Sequence, residues 1–136
     1  MSEIITPYLT ENLESIRNQE DKIRTDSALE INSQESLKQH IELVHASLDI
    51  LIWAHDRKTN LAHDKDVAIA GLRIRLFNSV NASLKLLLSG YYQGAVSFVS
   101  DILEISFLLD YFTLDESSIE RWVKNPFDKE FKQVNI

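Results

Sequence analysis

A chain of 136 residues, 44% of them hydrophobic, is long enough to form one domain around its own core. It has no cysteine, which excludes disulfides and thiolate metal sites, and its three glycines and two prolines are too few for the turns of an all-β fold. The net charge of −7 argues against non-specific nucleic-acid binding, although residues 57–100 carry six bases against two acids, while 1–56 carry eleven acids against four bases.

Thr6-Pro7 is a suitable helix start, and a first helix is predicted over about 7–25. Its apolar residues (Leu9, Leu13, Ile16, Ile23) are sparse, so it is expected to pack along one narrow face. The polar stretch Thr25 to Ser33 reads as a linker, which would leave residues 1–30 loosely attached. A second helix is predicted from Ser33 to about Arg57. Leu37, Ile41, Val44, Leu48 and Leu51 form its apolar stripe, and Leu43, Ile50 and Trp53 widen it. A third begins at Asp64 or Asp66 and ends near Ser89-Gly90, with glycine suiting a left-handed terminus. Ile69, Leu72, Leu76, Val80, Leu84 and Leu87 are its expected core side; Arg75, Asn78, Ala82, Lys85 and Ser89 are its expected solvated side.

The fourth helix, about 91–113, is apolar around most of its circumference, as expected of a helix in the middle of a bundle. Lys85, Asp101, Glu104 and Asp110 interrupt the apolar run from Leu84 to Phe112, which argues against a membrane span. Asp115 to Ser118 caps a short fifth helix that stops at Asn125-Pro126. Phe127 to Ile136 reads as the start of further structure, as in a chain that is cut short or completed by a partner. The predicted fold is all-α: one domain over 1–136, a bundle of four to five helices with a central apolar helix near 91–113. Met1-Ser2-Glu3-Ile4 does not resemble a signal peptide, so the expected location is cytoplasmic.

Four polar residues stand out on sides expected to be inward. Asp101 and Glu104 lie with Ser97 and Ser100 on an otherwise apolar helix, and Arg73 and Asn81 are the matching anomalies on the third. In an antiparallel hairpin Arg73 would meet Asp101 or Glu104. The plainer reading is an ion pair that fixes helix register. The functional reading is an acid/base or ligand pocket. Glu42-Leu43-Val44-His45 has the E-x-x-H spacing of di-iron bundles but no second copy, so no metal and no cofactor are expected.

Arg57-x5-His63 resembles the Arg-x(4–6)-His signature of HEPN-type ribonucleases. That resemblance implies an all-helical dimer in which Arg57 holds phosphate and His63 acts in general acid/base chemistry on RNA. The run Leu86-Leu87-Leu88-Ser89-Gly90-Tyr91-Tyr92-Gln93-Gly94-Ala95, followed by Glu104, resembles a motif of bacterial helical proteins of unknown function, loosely grouped as HEPN-like. Their pattern is roughly L-L-x-x-G-x-x-x-x-A-x-x-x-x-R-x-x-x-E. It covers about 25 residues and implies a helical bundle with no assigned activity; Ser100 stands where that pattern has Arg. The leading expectation is a non-enzymatic interaction or oligomerisation domain, as a homo-oligomer or with a protein partner. A HEPN-type ribonuclease or toxin, with RNA as substrate, and a small-ligand-binding bundle are the alternatives.

Overall fold

The computed structural model describes residues 10–57 and 63–132. They form an all-α bundle with the element order α1 (Glu11–Ser33), α2 (Glu35–Arg57), α3 (Asp64–Leu88), α4 (Tyr92–Leu114), α5 (Ser117–Lys124) and a single turn α6 (Lys129–Lys132). Thr6 and Pro7 lie outside the described residues. The helix starts instead with Thr10, whose Oγ1 accepts from the Leu13 amide, and Glu11 and Glu14 complement the positive end of the helix dipole.

The expected linker at 25–33 is helical. It contains neither Gly nor Pro, and the Thr25 and Ser33 hydroxyls donate back to the carbonyls of Asp21 and Glu30 within the helix. Only Gln34 leaves helical geometry, at φ −115° and ψ 105°, so one extended residue separates α1 from α2. None of the side chains of α1 is fully buried. Its strongest purchase is on the α3–α4 turn. There Ile23 sits over Gly90, the Arg24 guanidinium donates to Ser89 Oγ at 3.3 Å, and Glu20 accepts from the Tyr91 hydroxyl.

That turn follows directly from its sequence. Gly90 has φ +88°, a conformation glycine adopts without steric cost. The Tyr91 amide donates to the Leu86 carbonyl (2.9 Å) and the Gly90 amide to the Leu87 carbonyl (3.2 Å), which is the paired bonding of a Schellman terminus. The chain reverses, and α4 returns along α3. Small residues line the contact: Ser79 and Ala95 are buried, and Ser83 Oγ donates across to the Ala95 carbonyl at 2.9 Å. The closed core lies toward the other end of this hairpin, where Leu72, Ile105, Leu108, Phe112, Ile119 and Phe131 pack together. Ile105 is its most enclosed member, at 1% exposure. Trp122 stands edge-on to Phe112, with ring centres 5.8 Å apart. Phe131, in the stretch that reads as unfinished structure, therefore belongs to the core of this bundle.

The apolar helix forms over the expected residues, but only part of its circumference is covered. Ala95, Ile105, Leu108 and Phe112 face inward. Val96, Val99, Leu103, Phe107 and Leu114, on the opposite side, are 42–81% exposed. α3 is the most enclosed of the long helices in its neighbours, touching α1, α2, α4 and α5.

Candidate functional site

The polar residues singled out from sequence are placed as follows. Asp101, on α4, accepts from Ser79 Oγ and from the Arg75 guanidinium, both on α3. Ser79 is 4% exposed, the Asp101 side chain 21% and the Arg75 side chain 56%. The expected pair with Arg73 is therefore replaced by one with Arg75. The reason is angular. Arg75 and Ser79 are one helical turn apart and share the side of α3 that meets α4. Arg73, two residues earlier, points about 200° away. It is half-buried in a small cleft with Leu51, Ile52, Ile74 and Phe77, where no carboxylate is found among the described residues. Asn81 is half-buried. Glu104, expected inside, is exposed: it lies about 60° round the helix from Asp101 and about 100° from the buried Ile105. The sequence reading thus identified Asp101 as an inward carboxylate and misassigned its partner. Asp101 and Glu104 do not share a pocket wall with Arg73.

Arg57 is the last residue of α2, and its side chain is outside the described set. His63 is the exposed residue preceding α3, where it makes no capping hydrogen bond. Its Nδ1 lies 3.5 Å from Asp66 Oδ2. With Asp64, Lys65, Glu120, Val123 and Lys124 it lines an open polar crevice between the start of α3 and α5. Among the described residues no three His, Asp or Glu side chains are grouped closely enough to hold a metal ion.

One polar cluster escaped the sequence reading. Arg121 on α5 bonds Asp115 (2.9 Å) and Glu130 (2.8 Å), and Tyr111 donates to Glu130 at 2.6 Å. Hydrogen bonds from Ser117 first and Arg121 second hold the Asp115 carboxyl below its ordinary range. Arg121 and then Tyr111 do the same for Glu130. The two acids in turn raise the already high pKa of Arg121. This cluster ties the last described turn to the end of α4, beside the buried Phe131 ring. Its geometry is that of a clasp.

An open apolar groove of about 630 Å³ lies between α2 and the α3–α4 hairpin. Ile41, Val44, Leu48 and Leu51 form one wall, and Leu76, Val80, Leu84 and Ile102 face them. Among the described residues no charged side chain lines it, and its polar ones are Ser47, Ser83 and Ser106, whose hydroxyls already donate to main-chain carbonyls of Leu43, Ala95 and Ile102. Ile102 and Ser106 of α4 belong to this wall, and Val99, Leu103 and Phe107 continue the apolar surface round the helix. Groove and row form one open face.

By its fold and this face the chain belongs to the class of all-α helical bundles with an uncovered hydrophobic side. Comparison with protein families, with curated proteins and with solved structures finds no match for it. Among the described residues no helix is long and apolar enough to cross a membrane.

Proposed function

We propose that this chain is a protein-association module, and that its open face receives the apolar side of a helix from another polypeptide. The supporting observation is the groove with its adjoining row on α4: a contiguous apolar surface, free of charge along its floor, on a strongly charged chain. Surfaces of this kind mark interaction sites, because leaving them in water forgoes about 25 cal/mol per Å² of apolar area. The groove offers no unused hydroxyl donor, so recognition rests on shape and apolar contact. The test is the native mass of the chain in fresh extract of cells that produce it. A mass above that of the monomer, lowered by Leu103→Glu, is expected. A monomeric mass in extract at every concentration would remove the reading.

A second reading rests on His63. Its exposed ring lines a crevice with Lys65 and Lys124, and α2 ends with Arg57. That supports a HEPN-type ribonuclease, with His63 in general acid/base chemistry and the lysines drawing phosphate. It requires cleavage of RNA by the purified chain and loss of cleavage in His63→Ala. An inactive wild type ends it.

A further inference from the structure

The row on the outside of α4 has a symmetry of its own. Tyr92, Val96, Val99, Leu103, Phe107, Asp110 and Leu114 share one face of the helix and are all exposed. Their spacings are 4, 3, 4, 4, 3 and 4, which read the same in both directions from Leu103. An antiparallel two-fold contact lets such a row face itself along its whole length, because residue i meets residue j while j meets i. We propose that the partner received by the open face is a second copy of this chain, with the two α4 helices antiparallel and crossing at Leu103. The inference rests on the association reading and names its partner.

Charge sets the direction. α4 carries Asp101, Glu104 and Asp110 and no base, and its first nine residues, Tyr92 to Ser100, are free of charge. Asp110 is the only charged member of the row, and among the described residues it has no ion pair. Parallel helices would set Asp110 against Asp110, a like-charge contact with no cation at hand. Antiparallel helices set it against Val96 of the second copy, beside the charge-free first turns of that helix. Leu103 then meets its own copy, Val99 meets Phe107, and Tyr92 meets Leu114.

The area is of the right order. The row offers roughly 600 Å² per copy, and a standard interface takes about 800 Å² per partner, so the α2 rim of the groove, with Leu43 and Ile50 exposed, supplies what the row lacks. Crossing near 20° would let side chains of one row settle between those of the other.

The absence of cysteine makes the test clean. Purified Leu103→Cys treated with a short bifunctional thiol reagent is expected to form a covalent dimer. Tyr92→Cys alone and Leu114→Cys alone are expected not to, whereas an equal mixture of the two links Tyr92→Cys to Leu114→Cys. Leu103→Lys is expected to weaken self-association by at least about tenfold in sedimentation, with the melting of the dilute chain unchanged. Links between two Tyr92→Cys chains would mean parallel helices and overturn the proposal. A dimer that yields none of these links would also overturn it, by placing the contact on another face. A purified wild type that stays monomeric to high concentration sinks self-pairing too. The association reading would then stand or fall on the mass in extract.

Discussion

Asp101 provides the sharpest test of how the α3–α4 hairpin holds its register. Two bonds converge on its carboxylate, and they differ in worth. The bond to Arg75 is half in water: with 56% of the arginine side chain exposed, removing it should cost about 0–1 kcal/mol. The bond from Ser79 is inside, at 4% exposure, and a buried hydroxyl stripped of its acceptor costs about 1–3 kcal/mol. A helical serine can fall back on the carbonyl four residues before it, as Ser47 and Ser106 do here, which pulls the expected cost toward the lower end. Asp101→Ala should therefore cost about 1–2 kcal/mol and Arg75→Ala less than about 1 kcal/mol. Ser79→Ala should cost little, since it removes the hydroxyl along with its need. The double variant Ser79→Ala/Asp101→Ala should then be less destabilised than the two single changes summed, by about 1 kcal/mol. Urea titration of the four chains under dilute conditions measures all of this. An Arg75→Ala chain as unstable as Asp101→Ala would refute the reasoning, for it would make the exposed ion pair the stronger bond. Strict additivity of Ser79 and Asp101 would refute it as well.

Three further outcomes follow from the same structure. Gly90→Ala puts an L side chain at φ +88° and its Cβ 3.3 Å from Ile23, so it should destabilise by about 1–2 kcal/mol, and Ile23→Ala should relieve only the packing part of that loss in equilibrium unfolding. Ile105→Ala empties the most enclosed site of the core and should cost about 2–5 kcal/mol, with the midpoint of thermal unfolding dropping accordingly. The Arg121 clasp should govern acid sensitivity. Asp115 and Glu130 sit below their ordinary values of 3.8 and 4.5 when folded, so their stabilisation is present above those values and is lost as pH falls through the folded ones. Arg121→Met should accordingly flatten the decline of stability below about pH 4.5, an effect that salt weakens; parallel stability–pH curves for the two chains would contradict it.

Helix existence was legible wherever apolar residues recur with the helical period. The stripes of the second, third and fourth helices and the glycine at position 90 fix those elements to within a residue or two. The α1–α2 boundary was not legible, because the polar run 25–33 looks like a loop to a hydrophobicity argument. Helix-compatible residues without Gly or Pro continue the helix there despite exposure. Asp101 was identifiable as a carboxylate on an apolar helix. Its partner was not, since periodicity gives the face of a residue and not the axial offset between two helices. That offset is set where Ser83 meets the Ala95 carbonyl and Ser79 meets Asp101. The Arg121 clasp was missed because Glu130 lies beyond Pro126, where the helical pattern stops; Phe131, a lone aromatic in a charged stretch, was the available signal.

The fourth helix shows how one hydrophobic pattern can answer two demands. Apolar residues on every side predict burial on every side, yet periodicity alone does not say whether the covering atoms belong to the same chain. The polar residues discriminate better. On the inward side Asp101 meets Ser79 and Arg75 within the chain, so that side is complete as it stands. On the outward side Asp110 is the only charged residue of the row, and among the described residues its carboxylate has no ion pair. A row selected merely to be tolerated by water would be expected to carry more than one charge over seven positions. A row that pairs with its own copy can carry one, provided that charge lies away from the two-fold centre, where it does not face itself. Asp110 stands seven residues from Leu103, about 10 Å along the helix, so its counterpart in an antiparallel pair is about 21 Å away, beyond the reach of repulsion at physiological salt. Moving that charge to the centre, as Leu103→Asp with Asp110→Leu, keeps composition and net charge constant. It should nevertheless abolish self-association, since the two carboxylates would then meet on the axis.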